Sequence, residues 1–240
     1  MTLFLEQIPT VSIVLVLFVI AAVILFLGMI GLIILLISRA AKRRSYDRDR
    51  GREMEQTARQ LGFNFRSTAQ LAELSFLSGY QAFEGNAIGA ENFLTRNVKG
   101  DDVAIFDLVL RSSGLDVGTG SITSRQTMLL VGSVRLQLPE FYLRPEGFSE
   151  EILPEFTRID IDFPSNPAFS DRCLLYGSDE SPIRSLFSAD KLSFFETNPH
   201  LCVYGAGRLL SLHYPKVVLP PESLEKYLGI LAHLQQMFGH

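Results

Sequence analysis

Cysteine is nearly absent from this chain: Cys173 and Cys202 are the only two in 240 residues. That scarcity excludes a disulfide-rich secreted scaffold. Each thiol lies in an apolar run, CLLY and LCVY, where a small buried hydrophobe is the expected role. Metal-ligand pairs are equally scarce. His200 and Cys202 form an H-x-C pair, but no second pair stands at ligand spacing, so no metal is expected. The chain also lacks G-x-x-x-x-G-K-[ST], H-E-x-x-H, G-x-S-x-G and G-x-G-x-x-G. The GTG at Gly118–Gly120 and the GAG at Gly205–Gly207 read as turns, not phosphate cradles. His200, His213, His233 and His240 are scattered, with His213 expected on a strand face. No catalytic residue and no cofactor site is therefore assigned.

A second absence concerns charge. No Lys or Arg precedes Arg39, and no charged residue of either sign lies between Gln7 and Ser38. The 27 residues from Val11 to Ile37 are almost wholly apolar. As a helix they would span roughly 40 Å, against a hydrocarbon core of roughly 30 Å, so one membrane crossing fits with tilt to spare. A cleaved signal peptide would need a basic start and an apolar run of about half this length. The segment reads as an uncleaved anchor.

Charge then returns abruptly. Arg39, Lys42, Arg43, Arg44, Arg48, Arg50 and Arg52 form a basic collar, diluted by Asp47 and Asp49. Basic residues stay on the cytoplasmic side, so the expected protein is single-pass in the cell (inner) membrane, N-terminus out and soluble domain cytoplasmic. The collar is read as a topology determinant; the interleaved acids weaken any field for anionic headgroups. Beyond Arg52 the chain carries 15 basic and 23 acidic residues. An acidic body excludes DNA and RNA as partners, because nucleic-acid binding needs a basic face to displace counterions. The expected partners are the membrane, through one helix, and a protein. Gly28 and Gly31 form no small-xxx-small spacing, so the usual close-packing dimer motif is missing from the span.

Three segments follow: residues 1–38 as N-terminal tail and transmembrane helix, 39–61 as basic juxtamembrane segment and short helix, and 62–240 as one soluble domain. Met54, Ala58 and Leu61 share a helical face, and Gly62 is the expected stop. Strand-like runs occupy residues 86–98, 103–111, 126–138, 158–163, 172–177, 200–204 and 208–214, with VKGDD and RSSGLDVGTG as hairpin turns. Ser181 with Pro182 predicts a helix N-cap, and Lys191–Thr197 a short helix. Leu224, Tyr227, Leu228, Leu231, Leu234, Met237 and Phe238 form one stripe of a C-terminal amphipathic helix over residues 222–238. The fold class is α+β: a transmembrane helix, then a domain with a mainly antiparallel sheet and that helix across it, possible as a pleckstrin-like barrel.

Three aspartates interrupt this pattern. In RIDIDF, Asp160 and Asp162 share one strand face, and Asp107 breaks the otherwise buried run AIFDLVL. A buried carboxylate needs a partner, so pairing is the expected role of Asp107. LPEFYLRPE (Leu138 to Glu146), with RNVKG near Asn97, IFDL around Asp107, Gln126-Thr127, DIDF, Phe169-Ser170 and SPIRSLF, resembles an uncharacterised group of bacterial single-span membrane-anchored proteins. The resemblance implies no activity, cofactor or catalytic residue. LPEF and LRPE read as Pro-bounded strand ends, with Arg144 expected to pair with Glu140 or Glu146. Two functions follow: a membrane-tethered cytoplasmic binding or interaction module, or alternatively a membrane-bound metal-dependent hydrolase using Asp107, Asp160 and Asp162. The first requires an exposed apolar patch or groove, the second a shared concave pocket.

Overall fold

The computed structural model describes residues 10–70, 87–111, 123–147 and 160–239. The chain forms two compact units, Met1–Arg50 and Gly51–His240. Helix α1 (Thr10–Leu61) runs through the junction. The expected short juxtamembrane helix is thus the end of a longer one, because RAAKRR continues with good helix formers. Within the first unit, Leu17–Ser38 is a 22-residue stretch of mean hydropathy 3.2, long and apolar enough to cross a membrane, with none of it buried.

In the second unit the helix stops where Gly62 takes φ +72°, a conformation glycine adopts without strain. The Phe63 amide donates to the Ala58 carbonyl (2.7 Å) and the Gly62 amide to that of Arg59 (3.3 Å), satisfying carbonyls that the helix leaves open.

Eight strands follow: β1 (Asn64–Ala69), β2 (Ala87–Val98), β3 (Asp101–Arg111), β4 (Thr123–Gly132), β5 (Leu138–Pro145), β6 (Cys173–Gly177), β7 (Cys202–Gly207) and β8 (Leu209–His213). They make one antiparallel sheet in the order β1-β2-β3-β4-β8-β7-β5-β6. Because β1 and β6 end that order, the described strands form an open sheet and not the closed pleckstrin-like barrel.

The sheet departs from the sequence reading in physically instructive places. The run expected as one strand over residues 126–138 breaks at Gly132. The Ser133 carbonyl accepts the Leu136 amide (3.2 Å), and the chain turns, letting the β7–β8 hairpin pair between β4 and β5. Strand β5 survives two prolines because Pro139 falls in a register shift between Leu138 and Phe141, and Pro145 ends the strand. Of residues 158–163, Arg158 and Ile159 lie outside the described residues; Asp160 makes one isolated bridge to Tyr176, and no strand follows.

Small helices α2 (Pro167–Ser170), α3 (Glu180–Leu186) and α4 (Ala189–Thr197) precede β7, and a 3₁₀ turn (Pro221–Ser223) leads into α5 (Leu224–Phe238). The N-cap of α3 is Asp179, whose side chain accepts the Ser181 amide (3.2 Å), not Ser181 itself. One face of the sheet packs on Met54 and Ala58 of α1 and on Leu224, Leu231, Leu234 and Phe238 of α5. There Phe141, Phe187, Phe195 and Phe238 form a ring cluster with centroids 5.1–6.4 Å apart, the geometry favoured by aromatic quadrupoles. The opposite face carries Ala90, Phe93, Ala104, Phe106, Met128, Tyr142 and Tyr204, also buried.

Candidate functional site

Asp107 lies at the middle of β3 with no exposed surface. Its Oδ2 accepts from Asn92 Nδ2 at 2.8 Å and its Oδ1 from Thr127 Oγ1 at 2.7 Å. Thr127 is directly across the β3–β4 ladder, and its Oγ1 in turn accepts the Leu219 amide at 2.9 Å. Asn92 reaches Asp107 through a bulge: the β2–β3 register shifts between Glu91 and Leu94, and Asn92 takes φ 50°, which asparagine tolerates better than most residues. Gly51 packs here too; a Cβ there would lie 3.5 Å from Asn92 Oδ1. The arrangement satisfies a buried carboxylate and ties β2, β3, β4 and the segment before α5 together.

Asp160 and Asp162 are elsewhere. Asp160 lies beside β6, beyond the sheet's far edge, with five strands between it and Asp107. At about 4.8 Å per strand that is roughly 29 Å along the sheet. Its Oδ1 accepts the Leu175 amide (3.3 Å); burial, and then the charges of Asp162 and Glu146, push its carboxyl above the ordinary value. Asp162 is exposed, and its carbonyl accepts from Arg184 at 2.6 Å. The hydrolase reading is overturned, since one aspartate is buried in the middle of the sheet while the other two are exposed at the opposite edge. Among the described residues no three His, Cys, Asp or Glu side chains are grouped to hold a metal ion.

Other sequence candidates take structural places. Cys173 and Cys202 are buried free thiols, and burial pushes the Cys173 thiol up to about 11. His213 is buried on β8 and stacks on Tyr142 with centroids 6.5 Å apart. Arg144 lies over the Tyr176 ring (5.6 Å), while Glu140 accepts from the Tyr204 hydroxyl (2.9 Å); burial and that carboxylate push the Tyr204 phenol well above its ordinary value. Of the collar, Arg39, Lys42, Arg43 and Arg44 are helical, with side chains outside the described set; Arg48 and Arg52 are exposed.

The sequence reading missed a polar clamp at the end of the β2–β3 hairpin. Asp101 is buried and receives Arg135 and Gln235 of α5 (2.9 Å). Burial alone would raise its carboxyl, but hydrogen bonds from Ser133, Gln235 and Arg135 outweigh it and hold the pKa below the usual range. Next to this clamp, the β2–β3, β4–β5 and β7–β8 turns enclose a cavity of about 310 Å³ lined by Asp102, Val134, Ala206, Arg208 and Leu209 among others. A second cavity of about 260 Å³ lies between α1 and the start of α5, with Glu53, Glu222 and Glu225 on its walls. Outside the apolar helix, Val134 (66% exposed) and Val217 are the large aliphatic side chains left exposed among the described residues. Hence the groove expected of a binding module has one counterpart that combines a cavity with an exposed aliphatic side chain, at Val134.

The molecule defined by these features is an α+β protein with an N-terminal apolar helix, an eight-stranded antiparallel sheet and a C-terminal helix. A solved structure is similar in fold over most of the chain: the crystal structure of the mycobacterial trehalose monomycolate transport factor A, TtfA, is 15% identical with a TM-score of 0.57, the match covering 78% of this chain and 93% of TtfA's. No protein-family model matches the chain, and no curated protein matches it.

Proposed function

We propose that this protein is a membrane-tethered accessory module of a transport process, acting by binding a protein partner and not by catalysis. The observation that carries the reading is the likeness to nearly the whole of a transport factor's folded chain, joined to a candidate membrane helix. The separation of Asp107 from Asp160 and Asp162 supports it by removing the one catalytic grouping the sequence offered. The basic collar from Arg39 to Arg52 supports an N-out orientation with the folded unit in the cytoplasm. The same reading accommodates the sequence resemblance to bacterial single-span anchored proteins.

The test is deletion of the gene with complementation by the full chain, following newly synthesised radiolabelled lipid and its delivery beyond the inner membrane. Accumulation at the inner membrane, reversed by the full chain but not by a chain lacking residues 1–38, is the expected result. Unchanged delivery of every labelled lipid class sinks the transport reading. Orientation is tested separately with Ser178→Cys, an exposed position: labelling by an impermeant maleimide in intact cells would place the folded unit outside.

A further inference from the structure

We infer that Met128, His213 and Cys202 form a buried site for one Cu(I) ion. The inference goes beyond the transport reading and does not depend on it. The three residues are neighbours in one row: the ladders pair Met128 of β4 with His213 of β8, and His213 with Cys202 of β7. Met128 and Cys202 belong to the same apolar face, and the His213 ring stacks on Tyr142 of that face, so all three project from one side of the sheet. Directly opposed residues hold their Cβ atoms about 4.5–5.5 Å apart, within reach of a shared ion. None of the three is more than 2% exposed. The chain has 2 cysteines, 4 histidines and 5 methionines among 240 residues, so one of each side by side on three adjacent strands is a rare coincidence if packing alone placed them.

Donor chemistry selects the metal. A thiolate, an imidazole and a thioether are donors that suit Cu(I). Zn²⁺ sites are built from Cys, His and carboxylates, and among the described residues no three of those are grouped. The site needs no preformed cavity. Bonds of about 2.0 Å to nitrogen and about 2.3 Å to sulfur, usual for a d¹⁰ ion, leave three trigonal donors about 3.5–4 Å from one another. That is the ordinary spacing of packed side-chain atoms, so the ion lies in the plane of donors already in contact. As the copper–sulfur bond forms, the Cys202 thiol gives up its proton, and uptake of each ion releases one. Two further groups border the row. Gln126 Nε2 donates to the Met128 sulfur at 3.5 Å while Gln126 Oε1 accepts the Lys216 amide at 3.1 Å, which fixes the thioether and leaves its second lone pair for a metal. The Tyr142 hydroxyl is buried with no hydrogen-bond partner among the described residues. Tyr142 faces Tyr204 on the β5–β7 ladder, so Cys202 lies diagonally across from it, and a thiolate there is the kind of acceptor this phenol lacks.

The experiment titrates the full chain, purified in detergent under anaerobic reducing conditions, with Cu(I) against a chromophoric Cu(I) chelator. Because the site is closed, a second sample is loaded by growing the expressing cells in copper. The expected result is one Cu(I) per chain, with an X-ray absorption spectrum of two sulfurs and one nitrogen. Cys202→Ala should abolish binding, and Met128→Leu, which keeps the core volume, should weaken it by roughly tenfold or more. Cys173→Ala is the control: this thiol is also buried but lies in the core on the sheet's other face, so its loss should change nothing. No bound copper by either loading route overturns the proposal. So does copper retained by Cys202→Ala, copper lost with Cys173→Ala, or an affinity unmoved in a Met128→Leu chain that melts like wild type. None of these outcomes bears on the transport reading, which is tested by lipid delivery.

Discussion

Asp107 and Asp160 are the same residue in similar apolar-flanked runs, yet the fold gives them opposite circumstances. The first, on a central strand, has donors on both oxygens and no solvent. The second, at the sheet edge, has one backbone donor, solvent, and two like charges nearby. What an aspartate does is decided by the donors its neighbours offer: Asn92 and Thr127 reach Asp107, while Asp160 has the Leu175 amide and the like charges of Asp162 and Glu146 nearby.

The largest expected effect breaks the first half of that comparison. Asp107→Ala leaves the Asn92 amide and the Thr127 hydroxyl buried without this acceptor and opens a small void, costing on the order of 3–5 kcal/mol in urea unfolding of the detergent-solubilised chain. Asp107→Asn keeps the volume and one acceptor but turns an amide donor toward Asn92 Nδ2, so it should fall between wild type and alanine. A loss under about 1 kcal/mol for Asp107→Ala would show that the cluster is not structural.

Next in size is a test of how tightly the β6 edge itself is packed. A Cβ on Gly177 would strike Ile183 Cδ1 and lie 2.7 Å from the Glu140 carbonyl oxygen. The side chain can rotate but the strand backbone cannot, so Gly177→Ala should cost roughly 1–3 kcal/mol. An unchanged melting temperature would mean that β5 and α3 yield more readily than the packing implies.

The parts of this architecture that sequence could reveal are those whose signal is local. The α5 stripe, the Gly62 stop and the β2–β3 hairpin rest on periodicity or turn chemistry; at the hairpin, Lys99 and Gly100 both take positive φ. Strand β1 was invisible because an edge strand reading NFRSTA buries little beyond Ala69. Strand β5 was hidden by its prolines. The need of Asp107 for a partner could be read from its apolar neighbours, but its identity could not: Asn92 gets there through a bulge and a 15-residue return. The Val134 cavity was masked because VGSVRLQL keeps an alternating pattern straight through the turn.

A second buried carboxylate sharpens the comparison through pH. Asp101 titrates below the unfolded value of 3.8 because its hydrogen bonds favour the charged form. Its stabilising contribution is therefore fully present above about pH 4 and is lost as pH falls through the lower folded pKa. Asp101→Asn should lower stability at neutral pH and flatten that acid limb. A limb of unchanged steepness would assign acid unfolding to other carboxylates.

Thiol chemistry probes the sheet between the two aspartates, since Cys173 and Cys202 lie on the strands flanking β5. Both are buried, and Cys173 stays protonated at pH 8 because burial has pushed its thiol up to about 11. The native chain should resist maleimide for hours and take two equivalents after denaturation. Rapid native labelling would mean that the β5–β6–β7 edge opens on its own.

The smallest expected effect is at Asp160. Its carboxyl is raised by partial burial and by Asp162 and Glu146, so the folded state holds its proton more tightly than the unfolded chain. The sign then runs opposite to Asp101: the contribution favours folding at low pH and is lost as pH rises through the folded value. Asp160→Asn keeps an oxygen for the Leu175 amide while removing a charge that its neighbours oppose. At pH 7 the variant should be unchanged or more stable by no more than about 0.5 kcal/mol, as expected of an exposed site. The difference between the two proteins should shrink as the solution is acidified, because wild-type Asp160 then becomes neutral too. A clear destabilisation by Asn at pH 7 would mean that the Asp160 charge is held by a favourable partner. The contrast with Asp107 would then be one of degree and not of kind.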